Sequence, residues 1–126
     1  MGINRIDALV LWAADAEVTA AFYRALGLPL TPERHGDGPA HHACELDGVH
    51  IAVYETTGAP GLGATPGHRE TGATLLGFQV DSVEDAVGAV RALGAPVVRS
   101  IEDVPWGRRA VVADPDGRPV ELNQAR

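Results

Sequence analysis

The sequence contains no lysine. All ten of its basic residues are arginine, they face 17 acidic residues, and the formal charge is -7. Such an acidic excess excludes nucleic acid and anionic membrane as expected partners, because both demand a basic surface. A neutral or cationic ligand suits this charge. Cysteine is nearly absent too. Cys44 stands alone, so no internal disulfide can form, and a cytoplasmic location is expected. No apolar run nears the roughly 20 residues of a membrane-spanning helix. Residues 1–12, MGINRIDALVLW, show no small-residue cleavage site after an apolar core, so no signal peptide is expected. Aromatic residues are scarce, with two each of Trp, Tyr and Phe, so the placement of each ring is informative. What is plentiful is ordinary: 45% hydrophobic residues and a mean hydropathy of -0.01 describe a folded chain, and 126 residues suffice for one domain with a real core.

Along the chain, residues 5–13 (RIDALVLWA) read as a first strand. Asp15 is a good N-cap, with Glu17 in the favourable first turn. Val18, Ala21, Phe22, Ala25 and Leu26 make the expected apolar stripe of a helix that Gly27 ends. Residues 28–33 carry two prolines and suit an edge strand. Residues 41–55, HHACELDGVHIAVYE, form the clearest hairpin, because Asp47-Gly48 is a preferred two-residue turn. That turn opposes Leu46 with Val49, Cys44 with Ile51 and His42 with Val53 on a mostly apolar face. The other face carries His41, Ala43, Glu45, His50, Ala52 and Tyr54. Residues 56–74 are rich in Gly, Pro and Thr, a length that marks a join between modules or a functional loop.

The pattern then begins again. Residues 75–80 read as a strand. Ser82 caps a helix with stripe Val83, Val87, Val90 and Leu93, ended by Gly94. Strands follow over 96–101, 108–113 and 119–123. Between the last two, Asp114-Pro115-Asp116-Gly117 is turn chemistry. Alternation then sends Val120 and Leu122 into the core and Glu121 to the opposite face. The repeat is visible in the letters. Arg24-Ala25-Leu26-Gly27 recurs as Arg91-Ala92-Leu93-Gly94, 67 residues on, and Asp47-Gly48 recurs as Asp116-Gly117, 69 residues on. Duplication of this kind sets the architecture. The predicted fold is α+β: a single domain, 1–126, of two tandem βαβββ modules (3–55 and 75–124) joined by a linker (56–74), their sheets curved around a cleft. Ligand sites often lie where such units meet.

The βαβββ duplication resembles the vicinal oxygen chelate superfamily of glyoxalase I, extradiol dioxygenases, and fosfomycin and bleomycin resistance proteins. The carrying motifs are Phe22-Tyr23-Arg24 before Leu26-Gly27, and Asp114-Pro115-Asp116-Gly117 followed by Val120-Glu121-Leu122. The resemblance spans essentially the whole chain, but the fold hosts lyases, isomerases, oxygenases and metal-free binders. It implies four metal-ligand positions, one in the first and one in the last strand of each module. Here those positions hold Ala8, Ala52, Leu75 and Glu121, so the resemblance to the metal-free, bleomycin-resistance branch is the nearer one. That branch implies no metal, no cofactor and a homodimer with clefts between chains. A shifted site of His41, His50 and Glu45 is the alternative ligand set.

Strand alternation turns Ala8, Val10 and Trp12, then Leu75, Gly77 and Gln79, toward the cleft. The 69-residue offset adds Ala110 and Val112. The candidate ligand-binding residues are Trp12, His41, Glu45, His50, Tyr54, Gln79, Trp106, Arg108 and Glu121. Aromatic rings beside carboxylates suit a planar aromatic ligand, neutral or cationic, by stacking and cation–π contact. The expected function is metal-independent binding or sequestration of such a molecule, as in antibiotic or natural-product resistance. The alternative is an enzyme: a glyoxalase-like lyase, a dioxygenase, or a metal-free isomerase or cyclase with Glu121 or His50 as general base. His35 and His68 read as surface residues, His42 as a helix-side residue and Cys44 as a small buried hydrophobe.

Overall fold

The chain's structure, a computed structural model, describes residues 2–56 and 74–126. The linker 56–74 and His68 lie almost wholly outside the described residues. The chain divides into two compact units, Met1–Ala59 and Pro60–Arg126. In the first, β1 (Ala8–Ala13) leads to α1 (Ala16–Leu26), β2 (Thr31–Glu33), β3 (His41–Leu46) and β4 (Val49–Glu55). In the second, β5 (Leu76–Gln79) leads to α2 (Val83–Arg91), β6 (Val97–Val104), β7 (Gly107–Ala113) and β8 (Pro119–Ala125). The strand orders are β1-β4-β3-β2 and β5-β8-β7-β6. In each sheet the first strand runs parallel to the last and the other pairs are antiparallel. The fold is therefore α+β, two tandem βαβββ modules. Among the described residues no helix is long and apolar enough to cross a membrane.

Both helices start where a side chain can accept an orphan backbone N–H. Asp15 accepts from the Val18 N–H at 3.2 Å, and the Ser82 hydroxyl accepts from the Asp85 N–H at 3.1 Å. Each helix is also tied to its sheet. The Ala16 N–H donates to Glu55 at 3.1 Å, and the Val83 N–H donates to the Gln124 side-chain oxygen at 2.8 Å. Gly27, at φ 112°, ends α1 in the left-handed conformation that only glycine adopts without strain.

The buried face of α1 differs from the expected stripe. It is Ala16, Thr19, Ala20, Phe22 and Tyr23, while Val18 is exposed and Ala21, Ala25 and Leu26 are half-buried. Positions 16, 19, 20 and 23 follow the i, i+3, i+4, i+7 spacing. Thr19 and Tyr23 carry hydroxyls, which hid that seam from an apolar count. In α2 the buried residues are Val83, Ala86, Val87 and Val90. Leu93 is exposed because the helix ends at Arg91, and the turn closes through Gly94 at φ 89°.

The β3–β4 hairpin has the expected register, with Leu46 opposite Val49, Cys44 opposite Ile51 and His42 opposite Val53. The β7–β8 turn is longer. Ala113 pairs with Pro119, and residues 114–118 fold around the buried Asp114 carboxylate. That carboxylate accepts from the Asp116 N–H at 2.9 Å and the Arg118 N–H at 3.0 Å, and it also holds the Arg118 guanidinium.

Candidate functional site

On the face of the first sheet away from α1, register and alternation line up the predicted residues. Trp12 pairs with Tyr54, Val10 with Ala52, and Ala8 with His50 across β1 and β4, and Glu45 pairs with His50 across β3 and β4. The Trp12 and Tyr54 rings lie 5.8 Å apart at 51°, and His41 stacks on Tyr54 at 4.2 Å and 12°. This makes a continuous row of three π side chains. Its outer member, Trp12, is 50% exposed, and its inner member, His41, is buried. The His41 ring meets the Pro39 carbonyl oxygen at 3.1 Å and a Glu33 carboxylate oxygen at 3.0 Å. His50 Nδ1 lies 2.7 Å from Glu45 in an exposed pair. A pocket of ≈ 200 Å³ lies beside that pair, lined by Thr31, Pro32, Glu33, Ala43, Cys44, Glu45 and His50. It is smaller than the roughly 300–1,000 Å³ that holds a drug-sized molecule.

In the second sheet the face away from α2 is set by β8. Gly77 pairs with Glu121, Gln79 with Asn123, Val111 with Glu121 and Arg109 with Asn123. Trp106 occupies the β6–β7 turn and is 54% exposed. Its indole N–H donates to the Asn123 side-chain oxygen at 3.0 Å, and the Asn123 amide donates to Glu121 at 2.9 Å. Asn123 thus couples the tryptophan to the carboxylate, a link the sequence reading missed. The Arg109 guanidinium lies 5.8 Å from the Trp106 ring centroid and binds Glu102. Hydrogen bonding from Arg109 is the main influence holding the Glu102 carboxyl below its ordinary range.

Three predicted placements are corrected. Arg108, Ala110 and Val112 pair with Gln124, Leu122 and Val120, so they share the face packed on α2. Arg108 binds Glu84 of that helix, with Asp103 at 3.2 Å, and the Glu84 hydrogen bond raises its already high pKa. The cause is register. Ala52 and Glu121 correspond at 69 residues, but Ala43 opposes Ala52 while Val111 opposes Glu121, an offset of 68. A slip of one residue moves every side chain to the other face. Arg109 and Val111 therefore occupy the places expected for Ala110 and Val112.

His42 lies on the α1 side as expected, 3.1 Å from Glu17 and 3.4 Å from the Arg24 guanidinium. Cys44 is half-buried rather than buried and lines the pocket beside Glu45 and His50; partial burial, and after it the Glu45 charge, pushes its thiol above the ordinary value.

The four positions at which a metal-binding relative would place ligands hold Ala8, Ala52, Leu75 and Glu121. A divalent ion needs several converging N, O or S donors. One carboxylate among three hydrocarbon side chains does not fit one. Nor do His41, His50 and Glu45 converge: His50 goes to Glu45 and His41 to Glu33.

Residues 5–122 match the family model described as Glyoxalase/Bleomycin resistance protein/Dioxygenase superfamily. The chain belongs to this superfamily. No curated protein matches the sequence. Among solved structures, it is similar to TnmS3, an antibiotic binding protein from Streptomyces sp. CB03234, at 23% identity and TM-score 0.70, covering 100% of this chain and 99% of that one. An integron cassette protein from V. cholerae is 26% identical, with TM-score 0.62 and coverage of 98% and 97%. A glyoxalase-related enzyme from Fulvimarina pelagi is 21% identical, with TM-score 0.71 and coverage of 97% and 88%.

Proposed function

We propose that the chain binds a planar aromatic small molecule, neutral or cationic, without a bridging metal ion. Sequestration of an antibiotic or natural product is the biological form of that activity. The observation that carries this reading is the Trp12–Tyr54–His41 row, which sets two of the chain's six aromatic residues and a stacked histidine on a sheet face away from its helix. A ring laid against such a row gains dispersion and quadrupole attraction, and the acidic chain favours a positive substituent. Trp106, set beside Glu121 through Asn123, offers a second surface of the same chemistry. Superfamily membership and the antibiotic-binding neighbour are consistent with a binding or resistance role.

An enzyme is the second reading, favoured by one observation: Glu121 is a half-buried carboxylate oriented by the Asn123 amide, as a general base would be. Glu121→Gln separates the two, because it removes the charge and keeps the shape. A binder should lose at most about tenfold in affinity, most of it at low salt. An enzyme should lose turnover by about 100-fold or more while still binding. The measurement is binding and product formation on the same sample. Turnover by wild type that the variant loses would replace the binding reading with the catalytic one.

The proposed assembly is a homodimer with binding surfaces shared between chains. Val10, Trp12 and Trp106 are large apolar side chains left exposed, which a partner or ligand would cover. Two-fold dimers are the commonest assembly of soluble proteins. Sedimentation at micromolar concentration should give about twice the 13.2 kDa chain mass. A single species at the monomer mass would remove the shared surface.

A further inference from the structure

We infer that the β2–β3 edge of the first unit carries a divalent transition-metal site made of Glu33, His35 and His41, of the class that takes Zn²⁺. Glu33 and His41 are directly opposed across the antiparallel β2–β3 pair. His35 follows Glu33 by two residues, in a loop turned back by the Gly38 N–H bond to the His35 carbonyl at 2.9 Å. The Glu33 oxygen lies 3.0 Å from His41 Nε2 and 3.5 Å from His35 Nε2. All three ligand atoms fall within 4.8 Å of one another. Two ligands bound 2.0–2.1 Å from a tetrahedral ion stand about 3.3 Å apart. The two Glu33–histidine distances bracket that value.

The surroundings of His41 support the same site. Its side chain is 1% exposed. Nδ1 lies 3.1 Å from the Pro39 carbonyl, which can only accept, so Nδ1 carries the hydrogen. His41 Nε2 faces the Glu33 carboxylate oxygen, with His35 Nε2 beside it. One metal ion placed between them meets all three ligand atoms at once. The Pro39 carbonyl is also the outer partner that metal-bound histidines characteristically have, and Tyr54, stacked on His41 at 4.2 Å, fixes the ring plane. Two imidazoles and one carboxylate leave a fourth position open and favour Zn²⁺, Co²⁺ or Ni²⁺ over Mg²⁺ or Ca²⁺.

This site is not the metal position of the superfamily's metal-binding members. Ala8 and Ala52 belong to β1 and β4, while Glu33 and His41 belong to β2 and β3, at the other edge of the same sheet. It shares His41 with the Trp12–Tyr54–His41 row, but the ligand binding proposed for that row needs no ion.

The test is calorimetric titration of ZnCl₂ into chelator-stripped protein, with MgCl₂ as the comparison. One equivalent should bind, with a Kd on the order of 1 µM or tighter, and MgCl₂ should give no saturable heat. His41 is buried, so His41→Ala risks unfolding. His35 is 69% exposed on its side chain, and His35→Ala should keep the melting temperature of stripped wild type. That variant and Glu33→Gln should each lose about tenfold or more in Zn²⁺ affinity. ZnCl₂ should raise the melting temperature of wild type more than that of His35→Ala. No saturable Zn²⁺ binding by wild type would overturn the inference. Wild-type affinity retained by both variants would overturn it equally, by placing the ion elsewhere.

Discussion

Gly107→Ala should destabilise the second unit by about 3 kcal/mol or more, one of the largest effects expected of any single methyl group in this chain. Gly107 opens β7 with φ 150°, a conformation nearly closed to residues with a side chain. A Cβ built there would lie 1.9 Å from the Gln124 carbonyl oxygen and 3.0 Å from the carbon behind it. Both atoms belong to the backbone of the neighbouring strand, so no rotamer change relieves the clash. Either β7 or β8 must shift, and with it the pairing of Arg108 with Gln124 and Arg109 with Asn123. A thermal melt should fall by roughly 10 °C or more. Gly88 in α2 is the control: a Cβ there meets nothing within 4 Å, and Gly88→Ala should stabilise by about 0.5–1 kcal/mol. Coincident melts of Gly107→Ala and wild type would mean that the close approach of β7 to β8 is not present in solution.

Trp106→Ala should weaken binding of the aromatic ligand by tens of fold and barely change stability. A buried anchor in a complex is worth about 2 kcal/mol or more, and 1.4 kcal/mol is about tenfold. Its stability cost is small because Trp106 sits in a turn, more than half exposed, and gives up one hydrogen bond to Asn123. Trp12→Ala should differ by lowering both affinity and melting temperature. Trp12 sits within β1, in contact with Tyr54, so its removal also takes packing from the sheet. Titration of each variant with a panel of planar aromatic antibiotics, followed by tryptophan emission and denaturation, gives both quantities. Wild-type affinity in both variants would exclude either tryptophan as a stacking surface.

The residues that could be read from sequence are those whose placement depends on local rules. The Asp47-Gly48 turn allows one register, so the pairing of Glu45 with His50 and the facing of His41, Ala52 and Tyr54 follow from alternation alone. Alternation set Glu121 on the face opposite Val120 and Leu122, and the structure pairs it with Gly77 on the face away from α2. Readings that carried a count across a longer turn failed. The five residues 114–118, wrapped around Asp114, put β7 one residue out of step and reversed Arg108, Ala110 and Val112. The contact between Glu33 and His41 was illegible for a different reason. It depends on how residues 34–40 close the β2–β3 pair, and no local signal in that polar loop sets its register. Tyr23 escaped notice as core because an apolar count passes over a hydroxyl-bearing ring, although it is fully buried against Phe22 at 4.9 Å.

The central claim is that this member of the superfamily holds an aromatic molecule without metal and without changing it. Calorimetric titration of chelator-treated protein with the antibiotic panel, followed by mass analysis of the recovered ligand, tests that claim most directly. The account predicts saturable binding with a Kd on the order of 1 µM in the absence of metal, and a ligand recovered chemically intact. Binding that appears only when metal is restored, or a ligand recovered as product, would contradict it.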